Sequence, residues 1–286
     1  MKIFFIGKFT NFYDEEYIAR SFEMLGHEVF RMDQRNHPDH IKHYLDEFKP
    51  DLVLWTKLGV PQPIITREIC RAYKTACWVF DIYWGYKTRE HRLTSHPAFT
   101  ADYVFTTDGG HEQEFKNAGI NHHCVRQGIW KDDCVLLPFQ PIKHEVIFVG
   151  SDNPLFPQRK ELVNSIGAEW FGRMNTNEVR GMALNELYAS TRIVIGDSYP
   201  SPFYWSNRIV ETLGRGGFLI HKETEGLTED YPYLVTYKDE EDLKAKIKYY
   251  QEHEEERQSI ILKNIAWVRK HYTMEKQCEK LLSFIA

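Results

Sequence analysis

SYPSPFYWSNRIVETLGRGGFLI, residues 198–220, is the stretch on which the reading of this chain turns. It runs from a loop rich in proline, serine and aromatics into a helix whose N-cap is Ser206 or Asn207. Arg208 falls in the first turn of that helix and Glu211 one turn later, so both can face one side. A basic group and uncapped amides at a helix start suit phosphate oxygens. A carboxylate one turn deeper suits two ribose hydroxyls, because it accepts two hydrogen bonds. Gly214, Gly216 and Gly217 then allow a close turn into a strand that opens at Phe218.

The same alternation continues on both sides. Upstream lie candidate strands at Glu145–Val149, Glu169–Phe171 and Arg192–Ile195, each closed by a glycine (Gly150, Gly172, Gly196). Helical spacing at Gln158–Ile166 and Leu184–Ala189 separates them. Downstream come a strand at Leu234–Thr236 and helices across Glu240–Tyr250 and Glu254–Phe284, broken near His271–Thr273. Leu137–Lys143 holds two prolines and no periodicity, which reads as a linker. Before it an independent series runs through strands Lys2–Ile6, His27–Met32, Asp51–Trp55, Ala76–Phe80 and Asp102–Thr106. Helices at Asp14–Leu25, His40–Phe48 and Ile64–Tyr73 interleave with these strands.

Strands alternating with helices predict parallel sheets covered on both faces. The expected class is therefore α/β, with two facing Rossmann-like domains at residues 1–140 and 141–286. The expected ligand site is the cleft at the carboxyl ends of the strands, with the domains closing on the ligand.

Composition narrows the function. The chain has 286 residues, is 42% hydrophobic and 14% aromatic, and carries a net charge of -5, which argues against a broad electrostatic grip on nucleic acid or anionic lipid. Five cysteines form no paired CxxC spacing, and His91/His96 and His122/His123 lack the helical spacing of a zinc motif, so no metal is expected. The opening MKIFFIGKF is too short for a signal segment, and no apolar run is long enough to span a membrane. The expected location is cytoplasmic. No GxGxxG follows a predicted strand, which disfavours a dinucleotide-dependent dehydrogenase.

A second cluster of candidate ligands is Val149-Gly150-Ser151 at a strand end, followed by Arg159 and Lys160 at a helix start. A glycine there lets backbone approach a ligand, and the two cations supply charge for a diphosphate.

The runs FVGS (148–151), RKELV (159–163), NELYASTRIVIG (185–196), SNRIVETLGRGGFLI (206–220) and LKAKIKYYQEHEEERQSI (243–260) resemble the CgeB-like, DUF3880-type branch of the glycosyltransferase group 1 superfamily. The likeness covers roughly residues 145–284, and Ser206–Gly217 is its most specific piece. It implies a GT-B fold whose last helix, about 273–286, packs back on the N-terminal domain. It also implies a nucleotide-diphosphate-sugar donor, a UDP-sugar foremost, as co-substrate, with no cofactor and no obligatory metal. By position, Glu211 looks like the ribose-binding carboxylate, and Ser206, Asn207 and Arg208 like diphosphate contacts assisted by Arg159 or Lys160. Gly172 and Arg173 lie where such enzymes seat the base. Many retaining members carry a second glutamate eight residues before the ribose glutamate, and that place here is Phe203, which leaves the stereochemical outcome open. Absence of any Asp-x-Asp fits metal-free neutralisation of phosphate by Arg, Lys and helix amides.

For a catalytic base, Asp81 is the first candidate, because it follows the strand ACWVF and precedes the aromatic loop IYWGYK. Asp108 and then His91 come next. The acceptor is open: a glycan, a protein, a small molecule, or a hydroxymethylated DNA base as in phage-type enzymes. That last reading needs a basic groove, and Lys57, Lys74, Lys87, Arg89 and Arg92 are only loosely grouped. A GT-B-like scaffold without catalysis would have no need of Arg159, Arg208 and Glu211 together.

Overall fold

The computed structural model describes residues 1–10, 12–35, 38–56, 67–84, 90, 92–95, 97–151, 157–172 and 177–285. His91 and Arg173, both singled out from the sequence, lie outside the described residues.

Six strands build the first sheet: β1 (Lys2–Gly7), β2 (Glu28–Asp33), β3 (Leu52–Thr56), β4 (Thr75–Val79), β5 (Tyr103–Thr106) and β6 (His122–Cys124). All neighbours are parallel, in the order β2-β1-β3-β4-β5-β6. The connections carry α1 (Asp14–Met24), α2 (Pro38–Phe48), α3 (Arg67–Ala72), α4 (Arg92–Ser95) and α5 (Glu112–Asn117). β3 and β4 read as unbroken apolar runs because parallel strands are covered on both faces. Alternate residues divide between two cores. Phe4, Ile6, Val53, Trp55, Cys77 and Val79 go to one. Ile3, Phe5, Leu52, Leu54, Ala76 and Trp78 go to the other, as a period of two requires.

The second sheet contains β7 (His144–Val149), β8 (Glu169–Phe171), β9 (Thr191–Gly196), β10 (Leu219–Lys222) and β11 (Val235–Tyr237), parallel in the order β11-β10-β9-β7-β8. Its helices are α6 (Pro157–Ser165), α7 (Met182–Ala189), α8 (Arg208–Gly214), α9 (Leu227–Asp230), α10 (Glu240–Glu252) and α11 (Glu254–His271). The final helix is α12 (Met274–Ile285). In each sheet the chain order reverses at one place, between β1 and β3 in the first and between β7 and β9 in the second. Such switch points leave a crevice at the carboxyl ends of the strands.

Two compact units result: Met1–Gln127 with Met274–Ala286, and Gly128–Thr273. The sequence set the division at 140/141, on the prolines of Leu137–Lys143; the contacts set it at 127/128. The amide of Ile129 donates to Tyr272 O at 2.9 Å, and Asn185 Nδ2 donates to Asp133 O at 2.9 Å. Gln140 and Lys143 donate their amides to Ala189 O and Ser190 O at 3.2 and 2.9 Å. That stretch is thus a bonded part of the second unit. α12 belongs to the first unit, where Met274, Cys278, Leu281 and Ile285 pack with Ile3, Phe5, Ile18 and Phe22.

Leu281 is fully buried in that core. Leu281→Ala should cost about 2–5 kcal/mol through lost transfer energy and the cavity left behind. Urea unfolding checks this, and a loss below about 1 kcal/mol would detach α12 from the core.

Candidate active site

The charged residues of the second unit gather at its switch point. β7 ends in Val149 and β9 in Gly196, and the residues that follow, Gly150-Ser151 and Asp197, hold two guanidiniums between them. Arg208, at the start of α8, donates from Nε to Val149 O at 2.6 Å. Its Nη1 donates to Asp197 O at 2.9 Å and to Asp197 Oδ1 at 3.0 Å. Arg159 of α6 donates from Nε to both Asp197 carboxylate oxygens, at 3.1 and 3.0 Å, and from Nη1 to Ser151 O at 2.8 Å. Both guanidiniums also lie over the Phe148 ring, at 4.5 Å for Arg208 and 5.3 Å for Arg159, in cation–π geometry.

This arrangement explains two glycines. A side chain at Gly150 would run into the Arg208 guanidinium, and one at Gly172 would run into the Gly150 carbonyl. The ends of β7 and β8 close on each other through Trp170, whose indole donates to Gly150 O at 2.7 Å.

Burial pushes the Asp197 carboxyl up, but the neighbouring guanidiniums, Arg208 foremost, outweigh it and hold the group below its ordinary value. Burial lowers Arg208 in turn, against the pull of Asp197. Both cations bond the same carboxylate. Arg208 Nη2 has no hydrogen-bond partner among the described residues.

One turn beyond Arg208, Glu211 is bound not by Arg208 but by Arg215, four residues further along. Arg215 is 5% exposed and donates from Nε to Glu211 Oε2 at 2.9 Å, from Nη2 to Asp133 Oδ2 at 2.7 Å and from Nη1 to Gly181 O at 3.1 Å. Burial raises the Glu211 carboxyl above its ordinary value, with Arg215 opposing. Glu211 Oε1 has no partner among the described residues. Arg215 and Asp133 escaped the sequence reading; the signal available was the Glu211–Arg215 spacing of four, a helical salt-bridge register.

The loop before α8 is held from several sides. The Ser206 amide donates to Ser198 Oγ at 3.1 Å. His221 Nδ1 donates to Lys222 O at 2.7 Å, which leaves Nε2 to accept the Ser198 hydroxyl at 3.2 Å. Burial keeps this histidine neutral, with its pKa lowered to about 4. Phe203 adopts a left-handed backbone (φ 50°), and its amide donates to Glu225 O at 3.1 Å while its ring covers Gly226.

Several sequence expectations change. Asn207 occupies the N-cap position of α8, yet its side chain makes no capping bond, and neither does that of Ser206. The Ser206 hydroxyl is buried without a hydrogen-bond partner among the described residues. Lys160, next to Arg159, is exposed and stands outside the network. The Gly172 amide reaches Asn177 Oδ1 only at 3.4 Å. In the first unit, Asp81 is half-buried just after β4, whereas Asp108 is buried after β5 with its carboxylate already committed to Gly110 and His111. Among the described residues, no group of three or more metal-ligating side chains is found, and no helix is long and apolar enough to cross a membrane.

Comparison with known proteins supports the fold class. Over 99% of its length the chain matches the crystal structure of a glycosyltransferase from Rickettsia africae, covering 97% of that chain at 13% identity and a TM-score of 0.66. Sucrose-phosphate synthase from Thermosynechococcus elongatus matches equally well, over 99% of this chain and 98% of that one, at 10% identity and a TM-score of 0.66. The N-terminal domain of trehalose-6-phosphate phosphatase from Candida albicans follows, at 9% identity, 99% and 96% coverage and a TM-score of 0.60. The fold is the GT-B α/β fold, with two parallel sheets. Residues 153–283, which include Arg159, Arg208 and Glu211, match the family model of glycosyl transferase-like proteins. No curated protein matches the chain significantly in sequence.

Asp197 bonds both Arg159 and Arg208. Asp197→Asn should therefore cost about 3–5 kcal/mol at neutral pH by taking the carboxylate charge away from the buried Arg208 guanidinium. The folded-state pKa of Asp197 lies below the unfolded one. Its stabilisation is thus complete above about pH 4 and is lost as pH falls through the folded value. Urea midpoints across pH 2–7 should show the gap between wild type and Asp197→Asn narrowing only in acid. A gap that does not change with pH would refute the assignment.

Proposed function

We propose that this protein transfers a sugar from a nucleoside-diphosphate sugar to an acceptor hydroxyl, with its donor held by the second unit. The observation that carries the reading is the pairing of two unspent atoms one helical turn apart. Arg208 Nη2 is held in place by the bonds of Nε and Nη1, and Glu211 Oε1 is anchored through its sister oxygen. Cation and carboxylate at that spacing match a diphosphate joined to a ribose: the guanidinium takes phosphate oxygens, and Oε1 accepts a ribose hydroxyl. The Ser206 hydroxyl, buried and unsatisfied, would gain a partner from the same phosphate.

Arg159 and Arg208 provide charge for the departing diphosphate without calling on a metal, and charge placed where it develops is the larger part of such catalysis. Gly150 supports this by letting the β7 end approach the ligand closely. The matched family model and the CgeB-like run at Ser206–Gly217 favour the same activity. A UDP-sugar is the proposed donor.

Calorimetry with UDP, GDP, TDP and ADP identifies the nucleotide. Glu211→Ala should weaken its binding by about 1.5–3 kcal/mol, the scale of hydrogen bonds to a charged group. Arg208→Ala should weaken it as well. Because Arg208 is also structural, the folded state of each variant is checked by its thermal transition. Unchanged affinity in a folded Glu211→Ala protein would remove Glu211 from the donor site.

A further inference from the structure

Arg215 closes α8 as its C-cap, and Gly216 turns the chain away behind it with φ 79°. From that place Arg215 meets Glu211 twice. Its amide donates to Glu211 O at 3.3 Å, and its Nε donates to Glu211 Oε2 at 2.9 Å. The rest of the guanidinium is engaged as well. Nη1 donates to Gly181 O at 3.1 Å and to Asn185 Oδ1 at 2.5 Å, and Nη2 donates to Asp133 Oδ2 at 2.7 Å. Asn185 is fully buried and itself fixed, because its Nδ2 donates to Asp133 O at 2.9 Å and to Val135 O at 3.1 Å. A planar fork with bonds on all three nitrogens cannot turn without breaking several at once. The Glu211 side chain is 23% exposed and that of Arg215 only 5%, so the carboxylate reaches solvent where the fork does not.

We infer that Arg215 sets how much of a nucleotide's ribose Glu211 grips: one hydroxyl, not two. This rests on reading the second unit as the holder of a nucleoside-diphosphate sugar. A free carboxylate offers an oxygen to each of two neighbouring hydroxyls, which is what the sequence alone suggests for Glu211. Here Oε2 is committed to Arg215, and Oε1 is left to accept a single O–H. Arg215 is thus a positioning residue that acts through the carboxylate it holds. The donor class that follows is a nucleoside diphosphate with one obligatory ribose hydroxyl, the other being dispensable.

Exchange of partners does not restore a two-hydroxyl grip. For a ribose to take Oε2, Arg215 Nε would lose its acceptor inside a buried network. An unsatisfied buried donor on a charged group costs more than one new hydroxyl bond contributes. Asp133 Oδ2 cannot step in for Oε2, because it already serves Nη2 of the same guanidinium.

Calorimetry with UDP, GDP and ADP, and with the 2′-deoxy and 3′-deoxy forms of whichever binds tightest, tests the inference. In the wild type one deoxy form should bind within about threefold of its parent and the other about 10–100-fold more weakly, the scale of one hydrogen bond to a charged group. A loss of about tenfold or more for both deoxy forms, or for neither, would overturn the inference. Arg215→Gln frees Oε2, so the tolerated deoxy form should now fall about tenfold behind its parent. Arg215→Lys keeps a cation on Oε2 and should hold the wild-type ratio. If all three affinities fell together in Arg215→Gln with their ratios unchanged, Arg215 would be a structural part only and the inference would fail. Thermal transitions check that each variant is folded. Should Arg215→Gln not fold, Asp133→Asn/Arg215→Gln, which removes the unpaired carboxylate as well, carries the same ratio test. Failure of the donor reading shows differently, as wild-type protein that binds none of the nucleotides, and it takes this inference with it.

Discussion

Two guanidiniums buried on a single carboxylate set the terms for the second half of this molecule. Arg159 and Arg208 come from different helices, and Asp197 draws them together where β7 and β9 diverge. Desolvating three charges costs several kcal/mol per ion unless each is bonded, and here backbone carbonyls at Val149, Ser151 and Asp197 complete the set. The strand ends must therefore lie where those carbonyls can be reached. That demand fixes Gly150 and Gly172 as residues without side chains, and places Phe148 beneath the cations.

A second set of charges meets the first through α8. Glu211, Arg215 and Asp133 tie the far end of that helix to α7 and to the segment entering the unit. With both ends of a seven-residue helix bonded, Arg208 and Glu211 lose little freedom when a ligand arrives, which is how preorganisation raises affinity. The loop before α8 contributes strain as well: Phe203 holds a backbone region that costs about 1–3 kcal/mol for a residue with a side chain. It persists because Glu225 and Gly226 hold it on both sides.

Most of the architecture was legible from apolar runs closed by glycine, because parallel strands buried on both faces leave that mark. β6 was not, since His122–Cys124 is short, polar and at the sheet edge, where nothing forces an apolar pattern. The pairing of Arg208 and Glu211 in one helix was readable from spacing. Their partners were not. Asp197 lies 11 residues from Arg208, and Asp133 lies 82 from the Arg215 that holds Glu211; only the fold brings them in. A proline-rich segment read as a linker proved to be bonded backbone, because prolines mark irregular chain whether or not it crosses between units.

The place of α12 has a consequence for how the chain is made. The first sheet has Ile3, Phe5, Leu52 and Trp78 on a face that the last helix helps to cover. A ribosome delivers those strands early and that helix only after the whole of Gly128–Thr273 has emerged. The apolar face must wait through that interval, available to chaperones and to misassociation. The second unit, whose residues are contiguous, carries no such debt to a later segment and can complete its core first.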